Sequence, residues 1–121
     1  MNFKKEFTMD ETSRDFVDAG FLEELKGKVV MIRTANAGVH FGTLVKARES
    51  GAEYSVKITN ATRIYSWTGA NSISQLAAEG SKRTDSQLSV EVPSQYLKAV
   101  EIIEMTPEAI ENLNSIPKWK V

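Results

Sequence analysis

A chain of 121 residues with 41% apolar and 26% charged side chains has the size of one soluble domain and can bury one core, not two. Its 15 Lys and Arg against 16 Asp and Glu leave a formal net charge of −1, which argues against a protein that coats duplex nucleic acid. The lack of cysteine removes disulfides, thiolate nucleophiles and sulfur-ligated metals and suits a reducing cytosol. Met1 to Glu6 leads into no apolar signal region and no apolar run is long enough to span a bilayer, so an unexported, cytoplasmic protein without membrane contact is expected.

Val17, Phe21 and Leu25 recur at intervals of four, predicting an amphipathic helix over about 10–26, with Thr8 and Glu11 as its capping box and Gly27 as its stop. From Lys28 the texture turns to β. Val29–Thr34, a turn at Ala35-Asn36-Ala37-Gly38 and Val39–Ala47 predict a hairpin. In its second strand Val39, Phe41, Thr43 and Val45 form the apolar face, and His40, Gly42, Leu44 and Lys46 are expected on the wetter one. Tyr54–Ile58 and Ala61–Trp67 read as a third and a fourth strand. A short helix over 72–79 stops at Gly80, a fifth strand over Leu88–Val92 is closed by Pro93, and a sixth is expected over Val100–Met105. Thr106-Pro107-Glu108 is a strong helix start, supplying a hydroxyl cap, a proline at the first helical position and an acid at the positive end of the dipole. The expected fold is a single α+β domain over 1–121: a helical extension over 1–27 and an antiparallel meander with short helices over 28–121.

Catalytic chemistry is poorly represented. The lone histidine, His40, has no Gly-x-Ser-x-Gly serine to partner, and the carboxylates form no spaced acid/base pair. No glycine-rich phosphate loop occurs, and no cofactor or metal is expected. The informative stretch is 63–72. The period of a strand places Arg63, Tyr65 and Trp67 on one face, joining a guanidinium to two stacking rings. Asn71 and Ser72 then open a helix, Ser72 to Gln75 fits a capping box, and the helix start is read as a second phosphate contact. Lys82 and Arg83 follow one short helix later as further cations. Together these residues predict nucleotide binding without chemistry.

Three words of the chain, Ile32 to Leu44, Ala61 to Ala70 and Ile73 to Gly80, together resemble the family of small phage proteins that includes the first-described Thoeris anti-defence protein. The similarity runs over about Lys28 to Lys120. It implies a sponge that binds cyclic ADP-ribose isomers made by bacterial TIR-domain enzymes, with cyclic oligonucleotides of the CBASS pathway as ligands of some relatives, and that cleaves neither. It also implies a homo-oligomer, dimeric or hexameric, acting in the host cytoplasm. Carried onto this chain, it points to Arg33, His40, Arg63 and Trp67 first and to Asn71, Ser72, Lys82 and Arg83 next.

Two other classes stay open. A glycine-marked set of short strands with exposed rings also suits a small module for single-stranded nucleic acid, and a structural phage component would need no ligand. A homo-oligomer is expected on physical grounds too, because an open six-stranded meander with short helices would leave Phe41, Tyr54, Trp67 and Trp119 incompletely covered.

Overall fold

The computed structural model describes residues 22–81 and 86–118. The expected N-terminal helix lies largely outside them; among the described residues, 22–25 are helical, and Gly27 follows at φ 85°. Thr8, Glu11, Val17, Phe21, Lys82, Arg83 and Trp119 also fall outside the described residues.

β1 (Val29–Thr34) and β2 (Val39–Ser50) form the expected hairpin, pairing antiparallel from Val29 with Thr43 to Arg33 with Val39. The turn is fixed by Gly38 at φ 83° and by Thr34, whose hydroxyl accepts from the Ala37 N–H at 2.8 Å and donates to the Gly38 carbonyl at 2.8 Å. The third and fourth expected strands are one element, β3 (Glu53–Ser66). Thr59-Asn60 reads as a breaker in sequence. In the fold Asn60 enters the left-handed region (φ 51°), which asparagine tolerates, and inserts a bulge without ending the strand. The fifth and sixth expected strands are also redrawn, as β4 (Gln87–Leu88) and β5 (Val92–Glu104). Pro93 does not close a strand but lies inside β5, opposite Asn60, between the pairs Thr59 with Ser94 and Ala61 with Val92.

The five strands form an antiparallel sheet in the order β2-β1-β5-β3-β4, and β2 also pairs with β3, so β1, β2, β3 and β5 close into a ring. Closure needs β2 to bend, and two register shifts, between Phe41 and Thr43 and between Leu44 and Lys46, allow it. Gly42 sits at the first. A Cβ there would stand 2.7 Å from the Thr59 carbonyl oxygen and 3.3 Å from the Ala61 Cα, so only glycine lets β3 come this close.

The closed sheet has two apolar faces. Inside it Val30, Ile32, Leu44, Val56, Ile58, Ala61, Leu97 and Ala99 pack together, with Leu25 of the helical turn joining them. Outside it Met31, Val39, Phe41, Ile64 and Leu88 are covered by α1 (Ile73–Glu79) and α2 (Pro107–Asn114) through Leu76, Ala77, Ala109 and Leu113. Both helices start as their sequences predict. The Ser72 hydroxyl accepts from the Gln75 N–H at 3.1 Å, and the Thr106 hydroxyl accepts from the Ala109 N–H at 3.0 Å and donates to the Ala78 carbonyl at 2.7 Å, tying the helices together.

This architecture overturns the placement of His40 on a wet face. The residue is paired with Ile32, points into the ring and is fully buried, because the face that is solvated in an open meander becomes the interior of a closed one. Its Nε2 lies 2.8 Å from the Ala37 carbonyl, while Nδ1 has no hydrogen-bond partner. Burial holds its pKa below the ordinary 6.5, opposed by the Ala37 carbonyl, reinforced by the charge of Arg63 and opposed again by the Gln95 side chain.

Two outcomes are expected. Gly42→Ala should lower unfolding stability in urea by about 1–3 kcal/mol, since the Thr59 carbonyl is backbone and cannot step aside cheaply. For His40 the folded state favours the neutral ring, so its contribution is intact above the unfolded-state pKa of 6.5 and declines as pH falls below it. Between about pH 7 and 5 the wild type should therefore lose stability more steeply than His40→Gln, by at most about 1.4 kcal/mol per pH unit. Parallel stability curves would show that the ring does not titrate on unfolding.

Candidate functional site

Arg63 and Tyr65 follow Ala61 along one face of β3, and that face turns toward the end of the ring where the Ala35–Gly38 turn sits. Arg63 is half-buried and paired with His40 across β2 and β3. Its guanidinium rests against Gly38, where a Cβ would stand 3.3 Å from both Nε and Nη2, and lies 5.4 Å from the Tyr65 ring centroid. A side chain at residue 38 would require the group to give by a few tenths of an ångström, so the glycine that makes the turn also lets the cation lie close against it. Backbone bonds fix the residue on its other side: its N–H donates to the Ser89 hydroxyl at 2.9 Å and its carbonyl accepts from the Ser89 N–H at 2.8 Å. Among the described residues no carboxylate pairs with Arg63; the ion pairs there are Lys26 with Glu23, Lys28 with Glu104 and Arg33 with Glu101. The result is a preoriented guanidinium beside a half-exposed ring, a pair suited to a phosphate and an aromatic base.

The remaining residues singled out in sequence do not converge here. Trp67 lies beyond the end of β3, packs against the outer core with Ala70 and Ile73, and donates its indole N–H to the Ala70 carbonyl at 3.2 Å. Strand periodicity fails to place it with Arg63 because the register shifts between Ile64 and Ser66, breaking the alternation of β3, and the strand then ends at Ser66. Arg33 is on the opposite face from His40 and is engaged by Glu101 at 2.8 Å. Asn71 and Ser72 complete a capping box of a seven-residue helix, with the Asn71 N–H donating to the Gln75 side-chain oxygen at 3.0 Å and the Ser72 hydroxyl taken by Gln75. Those two groups bond within the chain, as a capping box requires. His40 backs the site from within the ring and presents no nitrogen to solvent.

Sequence reasoning missed a second polar surface, on the outside of β2, β3 and β5. The register aligns Lys46 with Lys57 and Lys57 with Tyr96, and in the next row Arg48 with Ser55 and Ser55 with Lys98. Lys46 belongs to this surface because the shift between Leu44 and Lys46 reverses the alternation of β2. An open groove of about 570 Å³ runs over Lys26, Lys46, Arg48, Lys57 and Tyr96. The signal was present as alternation of cations along three strands, but the pairing that gathers them cannot be read from any one strand. Separately, Lys118 tucks its Nζ out of solvent without a hydrogen-bond partner, 6.0 Å from the Phe41 ring centroid, and burial lowers its pKa against the opposing pull of Glu91.

Among the described residues no group of three or more His, Asp or Glu side chains is placed to hold a metal ion, and no helix is long and apolar enough to cross a membrane. No curated protein and no solved structure matches the chain. Residues 27–113, most of the chain and all of the ring except its helical approach, match the family described as a domain of unknown function, DUF6948, and the protein belongs to that family.

Proposed function

We propose that the protein captures phosphate-bearing cyclic nucleotides and holds them unchanged, as a phage anti-defence sponge would. The observation that carries this reading is the Arg63 guanidinium, seated on Gly38 beside the Tyr65 ring with no carboxylate to neutralise it among the described residues. An unneutralised cation in a fixed orientation favours an anionic ligand, and the ring beside it favours a flat one. The resemblance of the sequence words to the Thoeris anti-defence family narrows that ligand to cyclic ADP-ribose isomers, with cyclic oligonucleotides as further candidates. Binding without turnover is supported by the position of His40, whose ring is sealed inside the fold with Nε2 held by the Ala37 carbonyl, leaving no imidazole at the site to move a proton. In the oligomer this reading includes, Val90 and Val92, exposed apolar residues next to Ser89, are the surface that a second subunit would cover.

The test is incubation with a panel of cyclic ADP-ribose isomers and cyclic oligonucleotides, filtration, heat denaturation and chromatography of what is released. The ligand should be recovered chemically unchanged, and conversion of an excess to a linear product would overturn the sponge. Arg63→Ala and Tyr65→Ala should each weaken capture by about 1–3 kcal/mol, the scale of a charge-assisted bond or a base–aromatic stack. Trp67→Ala should instead destabilise the fold by roughly 1–3 kcal/mol, with affinity retained in the folded fraction, because its ring packs against the outer core.

A further inference from the structure

Lys46 and Lys57 stand directly opposite each other on adjacent strands, an arrangement that repels and destabilises a sheet. Neither has a carboxylate partner among the described residues, and Lys57 lies 5.4 Å from the ring centroid of Tyr96. Tyr96 is 72% exposed, the most exposed large hydrophobic residue described. It forms the ridge between the groove of about 570 Å³ and a second of about 340 Å³ that continues over Asn36, Ala37, Glu53 and Lys98, where Glu53 is the one acidic residue of the lining. Arg48 and Lys98 flank Ser55 one row further on, with the Lys98 Nζ donating to the Ser50 hydroxyl at 3.2 Å. At strand spacing each row is roughly 10 Å wide and the two rows lie about 7 Å apart. Four cations therefore surround one exposed ring on a surface three strands wide, in a protein whose overall charge is −1.

From this surface we infer that the outer face of β2, β3 and β5, built on Lys46, Arg48, Lys57, Lys98 and Tyr96, is a binding track for single-stranded nucleic acid. The cations follow a phosphate backbone, and the ring offers a stacking platform to an unpaired base. A duplex keeps its bases stacked on one another and cannot use Tyr96, so the ring selects the single strand. The two grooves that meet at Tyr96 provide a path on both sides of the stacked base, as an extended strand needs and a lone nucleotide does not. The track shares only the Ala35–Gly38 turn with the Arg63 site, and none of its cations or its ring, so the inference stands or falls separately from the sponge.

The test is fluorescence anisotropy of the full chain with labelled oligothymidylate and oligouridylate of about twelve nucleotides. Contact with four phosphates predicts a slope of log affinity against log salt near −2.8, a loss of about 50-fold between about 50 and 200 mM salt. Tyr96→Ala should weaken binding about 5- to 150-fold, and Arg63→Ala should leave it unchanged. Lys57→Glu supplies a readout that does not depend on binding: it turns the repulsive pair with Lys46 into an attractive one, so its melting temperature should rise while binding falls at least about tenfold. No binding at low salt, equal affinity for a duplex, competition by a mononucleotide as strong as by the oligomer, or indifference to Tyr96→Ala would each overturn the track.

Discussion

The close approach of β2 to β3 at Gly42 is the constraint on which the rest of the molecule depends. Removing a Cβ there lets the Thr59 carbonyl come within a distance that no side chain tolerates, and that contact allows a strand already paired with β1 on one edge to pair with β3 on the other. Once the ring is closed, residues that would be solvated on an open sheet become a second core. The inner cluster around Leu44, Ile58 and Ala99 exists only because of this closure, and it lets a chain of this length bury two faces of one sheet. Closure also dispenses with most sheet edges, and with them the usual route to edge-on association.

The bulge at Asn60 answers the bend at Gly42 on the facing strand. Asn60 takes the left-handed conformation, Pro93 on β5 lies opposite it, and the ladder on either side keeps its register. Each of these residues breaks regular structure when met alone. Placed together, opposite each other on the exposed outside of the ring, they share one place in the sheet where the β2–β3 register shifts.

Much of the local structure was legible because it depends on neighbours in sequence. The Ser72 and Thr106 caps, the stops at Gly27 and Gly80, the Gly38 turn and the α+β class all follow from rules that reach only a few residues. What was not legible is whatever closure decides. The alternation of Val39 to Lys46 correctly separates two faces but cannot say which is wet, and His40 is buried for that reason. The period of two brings Arg63 beside Tyr65 and fails at Trp67, since it carries no information about the irregularity between Ile64 and Ser66 or about where the strand stops. The array around Tyr96 is a property of register across three strands, which no single strand contains. The aromatic surface that an open sheet would expose is partly covered in the closed one: Phe41 lies in the outer core, Trp67 packs against it and Tyr54 packs against the inner core, while Trp119 falls outside the described residues.

The two polar surfaces share a physical logic. Arg63 at the end of the ring and the Lys46 with Lys57 pair on its outside are cations that the described fold leaves without carboxylate partners, although the chain carries more acidic than basic residues. Folding alone gives no reason for this: a glutamate at position 57 would relieve a repulsion, and Arg63 could have been given the kind of partner that Arg33 has in Glu101. On the readings proposed above, the charge withheld from internal pairing at these positions is what makes them available to an anion. Each of the two cation groups is paired with an exposed ring, Tyr65 in one case and Tyr96 in the other. A ring beside an unneutralised cation discriminates among anions, preferring those that carry a flat base, and this selectivity separates both surfaces from general attraction to negative charge.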